Sequence, residues 1–271
     1  MKFSVLMSIY YKEKPLFLKE SLESLVNQTK MPTEIVIVKD GNLTEELDII
    51  IEEYVDKYKS LFSIVNLDKN YGLGIALSKG IQVCKYDIIA RMDSDDIADI
   101  TRFEKQLEIF KKYPEIDIVG SNISEFMDNP KISCSERNVP EEHDDIVKFA
   151  KKRCPFNHMT VMYKKQAVIE SGNYIKFESL EDYYLWARML NNNCKAFNIQ
   201  ENLVYARIGN GMFKRRSGIS YVKSELKLQR KFKEIGFINS FQLIYNIMCR
   251  TIVRIIPNNL RKMIYLKLLR R

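Results

Sequence analysis

The chain has 271 residues, 46% of them hydrophobic, which is enough to bury one substantial core and excludes intrinsic disorder. Its formal charge is +8, but seven basic residues and no acid fall in 235–271, so the first 234 residues carry only +1 and the balance argues against a nucleic-acid partner. Five widely spaced cysteines without a CxxC pair exclude a zinc-finger or disulfide scaffold and fit reduced thiols of a cytoplasmic protein.

The apolar run at 3–9 reads as a first strand rather than a leader, because no small-residue cleavage site follows. After Pro15, apolar residues recur at Leu18, Leu22, Leu25 and Val26, which is helical spacing. The unit then repeats: a β-branched strand over 34–39 and an acidic helix over 44–58, then a strand at 62–67 with a helix at 73–84, then a strand at 86–91. Such alternation predicts an α/β fold with a mainly parallel sheet and helices on both faces. Ligands of these sheets sit beyond the carboxyl ends of the strands, where four polar loops emerge around 10–13, 39–41, 70–72 and 93–96. Past residue 115 the pattern loosens. A strand is expected at 116–119, a polar stretch to 142, helices near 144–152 and 181–191, and a strand at 160–163.

The sharpest chemical feature is Asp93-Ser94-Asp95, with Asp96 next to it, at the end of an apolar strand. Carboxylates this close repel unless a cation neutralises them, and hard oxygen donors suit Mg²⁺ or Mn²⁺ carrying phosphates. Helix capping is the plainer explanation of the same residues. Gly72 and Gly74 open a helix, but Leu77 replaces the third glycine of a dinucleotide fingerprint, which argues against a nicotinamide enzyme.

Five motifs occur in order: Ser4 to Glu13, Lys39-Asp40-Gly41, Asn70-Tyr71-Gly72-Leu73-Gly74, Arg91-Met92-Asp93-Ser94-Asp95-Asp96 and Glu181-Asp182-Tyr183-Tyr184-Leu185-Trp186. Together they resemble family 2 glycosyltransferases of the branch that builds capsules, O-antigens and related surface polysaccharides. The resemblance implies a GT-A fold and inverting transfer of a sugar from a nucleotide-sugar, with UDP as the expected nucleotide, to a lipid-linked or oligosaccharide acceptor. By position, Ser8, Tyr10 and Glu13 would line the nucleoside pocket and Asp40 would bond the base, with Lys39 standing where the family usually has another Asp. Asn70, Lys79 and Arg91 would lie near the nucleotide, Asp93 against ribose or sugar, and Asp95 on the metal. Asp182 is the expected base, with Glu181 orienting it. His158, in Pro155-Phe156-Asn157-His158, would touch acceptor or diphosphate. Trp186 would either pack beneath the acceptor or fill the core, the latter favoured. The family's loop histidine is missing from 205–218, so Arg207, Arg215 or Arg216 would neutralise phosphate there.

The resemblance divides the chain into a catalytic domain at 1–218, with a nucleotide-sugar half at 1–100 and an acceptor half at 101–218, and a basic amphipathic helical extension at 219–271. Apolar residues at Phe241, Ile244, Ile247 and Met248, and again at Leu260, Met263, Ile264 and Leu268 beyond Pro257, are interleaved with bases and no acids. This pattern suits an anionic membrane surface, making the protein peripheral on the inner face of the membrane, or packing against the domain or in a homodimer. Two rival readings stay open: a nucleotidyltransferase, and a catalytically inactive scaffold of the same fold.

Overall fold

The computed structural model describes residues 1–177, 179–209 and 219–255. Its centre is a sheet in the order β3-β2-β1-β4-β8-β6-β9-β5, with β7 on the free side of β6. The first four strands are β1 (Phe3–Ile9), β2 (Glu34–Lys39), β3 (Phe62–Asn66) and β4 (Ile88–Met92), and all pair in parallel. β5 (Ile97–Ala98), β6 (Ile116–Phe126), β7 (Ser135–Arg137), β8 (Met162–Lys164) and β9 (Lys195–Arg207) complete it. β8 runs antiparallel between β4 and β6, while β6 and β9 are parallel.

Period-two alternation makes the inner strands apolar on both sides. In β1, Leu6 faces one core while Phe3, Val5, Met7 and Ile9 face the other, and in β2 Val36 and Val38 oppose Ile35 and Ile37. The second core is roofed by α1 (Pro15–Val26), α2 (Glu45–Tyr58) and α4 (Arg102–Lys112) through Leu22, Ile51 and Phe103. The first core is roofed by α3 (Leu73–Val83), α6 (Lys165–Glu170) and α7 (Glu181–Asn191); α5 (His143–Ala150) contributes Ile146.

The mainly parallel α/β sheet expected from the sequence is present; short β5, β7 and α6 are additions to it, and β6 and β9 differ most from expectation. β6 extends to Phe126, well past the four residues expected, because its polar Ser121, Asn122, Ser124 and Glu125 are buried and bonded rather than solvated. Asn157 Nδ2 donates to the Ser121 carbonyl, and Asn122 Oδ1 accepts from the Val139 amide. β9 was not expected at all, since Gln200-Glu201-Asn202 interrupts its apolar alternation where the pairing with β6 shifts register.

The C-terminal helices are α8 (Ile219–Glu234) and α9 (Ser240–Ile255). α8 shares the core of the catalytic domain: Leu228 and Phe232 are fully buried, and Phe232 meets Tyr183 of α7 edge to face at 5.0 Å. A boundary after 218 therefore does not separate two cores. Removing that ring leaves a cavity, so Phe232→Ala should cost about 3–5 kcal/mol and lower the melting temperature by roughly 10 °C. A calorimetric scan showing no change would place α8 outside the core.

Candidate active site

β1 lies between β2 and β4, so the loops leaving the carboxyl ends of β1 and β4 open a crevice between them. The β4 loop places Asp93, Asp95 and Asp96 with carboxylate oxygens within 4.8 Å of one another. The half-buried Asp95 is pushed up to about 7 by burial and by the charges of Asp93 and Glu13. Asp96, more deeply buried, is raised well above the usual carboxylate range by burial and by Asp95. A donor set of hard oxygens that resists bearing its own charge fits a divalent cation, and these three side chains are where Mg²⁺ or Mn²⁺ would sit.

Arg91 offsets this repulsion. It sits one residue before the end of β4, 1% exposed, and donates from Nη2 to Asp93 Oδ1 at 2.5 Å. Its Nε and Nη1 are buried with no partner among the described residues. Behind it, the fully buried Arg102 donates to the Arg91 carbonyl at 2.7 Å and clamps the strand end; burial and the charge of Arg91 pull its guanidinium down to about 9.

Other loops close on the cluster. Glu13 accepts from Ser94 Oγ and from the Lys14 amide, which joins the β1 loop to the carboxylates. The Arg207 amide donates to Asp96 Oδ1 at 2.7 Å and its Nε to the Asp95 carbonyl at 3.1 Å. Arg207 is also ion-paired with Glu20 and lies between the rings of Phe17 and Phe126. Its expected role on phosphate is therefore corrected: the side chain is 7% exposed and braces the loop. Arg215 and Arg216 lie outside the described residues.

Asp40 also differs from expectation. Its carboxylate is buried and accepts the amides of Tyr71 at 2.7 Å and Gly72 at 2.9 Å, so its oxygens fix the turn into α3, leaving only spare lone pairs for a base. Gly72 has φ +91°, which side chains rarely adopt. Neighbouring Lys39 pairs with Asp48 at 2.6 Å. Ser8 is half-buried near the end of β1, Tyr10 and Asn70 are exposed at the crevice rim, and exposed Lys79 rests over the Tyr71 ring rather than on the cluster.

The second half of the chain meets this edge through α7. A Cβ at Gly74 would stand 3.0 Å from the Ile175 carbonyl and 3.2 Å from Glu181 Cβ, so the start of α3 packs directly on the start of α7. Glu181 and Asp182 occupy the first turn of α7, and Cys154 Sγ lies 3.8 Å from Asp182 Oδ2, a contact the sequence reading missed although Cys154 adjoins the Pro155 to His158 loop. Burial and Asp182 push the Glu181 carboxyl up to about 7. His158 Nε2 bonds Tyr174 OH at 2.9 Å, and burial with nearby Arg91 drives its pKa well below the usual range, keeping it neutral. Trp186 is fully buried, ringed by Phe156, His158, Tyr163 and Tyr174, so it fills the core and does not reach an acceptor.

Glycosyl transferase family 2 matches residues 4–183. The chain belongs to this family. It is 43% identical over 271 residues to an uncharacterized glycosyltransferase of Haemophilus influenzae, covering 100% of both chains. It is 40% identical over 270 residues, 100% of this chain and 97% of the other, to the Escherichia coli UDP-Gal:alpha-D-GlcNAc-diphosphoundecaprenol beta-1,3-galactosyltransferase. The amylovoran biosynthesis glycosyltransferase AmsE of Erwinia amylovora is 38% identical over 98% of each. S. aureus TarS 1-349 in complex with UDP-GlcNAc superposes with a TM-score of 0.66 at 18% identity, over 86% of this chain and 66% of that one. The mannosyltransferase PcManGT from Pyrobaculum calidifontis, in complex with GDP-Man and Mn2+, gives 0.65 at 13%, over 86% and 64%. At such identities the likeness shows the fold alone, which is GT-A. The chain is a glycosyltransferase of surface-polysaccharide type.

Glu181 gives a test of the site's electrostatics. Its folded pKa of about 7 lies above the ordinary 4.5, so between these values the folded chain holds a proton that the unfolded chain has lost. The stability this proton contributes is full below 4.5 and is lost as pH rises through 7. Glu181→Gln keeps a neutral side chain, so it should gain several degrees of melting temperature relative to wild type between about pH 5 and about pH 8. An equal difference at both pH values would contradict a buried, proton-holding Glu181.

Proposed function

We propose that the chain transfers a hexose, with inversion, from a UDP-sugar to a lipid-diphosphate-linked sugar, using Mn²⁺ or Mg²⁺. The observation that carries this reading is the meeting of two carboxylate groups around Arg91: the Asp93, Asp95 and Asp96 cluster on one element and the Glu181–Asp182 pair on another. One group suits a departing diphosphate, and the other an arriving hydroxyl.

In this reading the β1, β2 and β3 loops bind the nucleoside, with Tyr10, Ser8 and Glu13 nearest. Asp93, held by Arg91, orients the donor ribose or sugar. Asp182 accepts the proton of the acceptor hydroxyl as its oxygen bonds the anomeric carbon from the face opposite the diphosphate, whose bond to that carbon breaks. Asp95 and its neighbours would hold the divalent ion, which would supply positive charge to the departing diphosphate. Cys154 borders Asp182 and positions it, while Glu181 shapes the charge around it.

The E. coli UDP-Gal:alpha-D-GlcNAc-diphosphoundecaprenol beta-1,3-galactosyltransferase suggests the donor and acceptor classes, and the match over 97% of that enzyme supports carrying both over. A lipid-linked acceptor places the reaction at the inner face of the membrane, with the protein peripheral; among the described residues no helix is long and apolar enough to cross it. Family membership leaves no task for a nucleotidyltransferase reading. Against a panel of UDP-sugars and a GlcNAc-diphosphate lipid analogue, product should form only with the cation. Asp182→Asn should lower kcat about 10²–10⁴-fold with the donor KM little changed. Wild-type turnover in that variant would remove Asp182 from its role, and no product from any donor with any cation would favour the inactive scaffold.

A further inference from the structure

α9 is mounted inside out. Phe241, Ile244, Tyr245 and Met248 fall at i, i+3, i+4 and i+7, one stripe of a helix, yet they are 77%, 67%, 45% and 52% exposed. The side that meets the protein is held largely by polar groups. Asn246 is 4% exposed and donates to the Lys151 carbonyl at 2.7 Å and to Gln229 Oε1 at 2.8 Å. Arg250 pairs with Glu225 at 2.8 Å and donates to the Lys152 carbonyl at 2.7 Å. Buried, bonded polar residues fix the rotation of the helix, so the outward apolar stripe is not an accident of a loosely attached tail. Four large apolar side chains held in water along one helix face cost free energy unless something covers them.

The charge of the C-terminal sequence selects the cover. From 235 to 271 the chain carries seven bases and no acid, and α8 adds Lys223, Lys227, Arg230, Lys231 and Lys233 against two acids, Glu225 and Glu234. A second copy laid on this face in a two-fold dimer would bring an equally basic, acid-free segment against it, which repels. An anionic bilayer surface answers both features, apolar acyl boundary for the stripe and headgroup phosphate for the bases. We propose that the outward face of α9 is the docking surface of this protein on an anionic membrane.

The grip gives docking an orientation. α9 holds the backbone of Lys151 and Lys152, and Cys154 two residues further on touches Asp182. The docked helix is thus tied to the segment bordering the acceptor end of the site. A lipid-linked acceptor supplies the purpose of this surface, but binding itself is read without substrate, so the transferase reading and the docking proposal can fail separately.

The test is flotation of the full chain with phosphatidylcholine vesicles, with and without phosphatidylglycerol. Wild type should float with the anionic vesicles, and the combined Phe241→Ser, Ile244→Ser and Met248→Ser variant should lose about tenfold or more of that binding with its melting temperature kept. In a second measurement, Phe241→Trp should be quenched by brominated anionic vesicles; native Trp186 is fully buried and contributes a constant background. Equal flotation of wild type and variant, no wild-type flotation, or an unquenched Trp at 241 would overturn the proposal. So would a wild-type dimer that the triple variant converts to monomer with flotation unchanged, since the stripe would then be covered by a second copy.

Discussion

Three carboxylates gathered at the end of one strand repel one another, and the architecture around them is organised to hold them there. Asp95 and Asp96 are both raised toward the neutral form, and the buried Arg91 is the nearest fixed positive charge. Arg91 cannot be solvated where it lies, and Arg102 is buried behind it, donating to Gln106, the Met92 sulfur and the Arg91 carbonyl. Two buried guanidiniums cost solvation free energy that only nearby negative charge offsets. The cluster and its supports therefore make sense as one electrostatic unit, in which buried carboxylates and buried guanidiniums offset one another.

The rest of the fold makes this unit rigid and gives it a partner. Two cores flank the sheet, so β1 and β4 are pinned on both faces and their loops start from fixed ends. Asp40 fastens the Gly72 turn by two backbone amides, and Gly74 lets α3 press against Glu181. That close approach brings the starts of α3 and α7 to one place without a long loop between them. α8 and α9 continue from α7: Phe232 locks α8 beneath Tyr183, and α9 grips the segment leading to Cys154. The catalytic edge and the outward apolar stripe of α9 are thereby parts of one packed body.

How much of this could be read from the sequence depended on whether a residue's role is local. Strands buried on both faces announce themselves as apolar runs, so β1 to β4 and their helices were legible, as was the Asp93 to Asp96 cluster at a strand end. β9 and the second half of β6 were not, because Asn122, Glu125 and Asn198 look like loop residues until distant partners satisfy them. Arg207 read as a phosphate ligand by its basic, glycine-bearing surroundings, whereas its partners come from two distant elements, Phe17 and Glu20 from α1 and Phe126 from β6. Asp40 and Trp186 show the same limit: motif position located each near the site, but which way the side chain turned was decided by packing.

We propose that the Asp93, Asp95 and Asp96 cluster binds a divalent cation together with a nucleoside diphosphate. Electron paramagnetic resonance of Mn²⁺ titrated into the purified chain with UDP present tests it most directly. One Mn²⁺ is expected to bind per chain and to be lost in Asp95→Asn while the folded state persists; equal binding in the variant, or none in the wild type, would contradict this site.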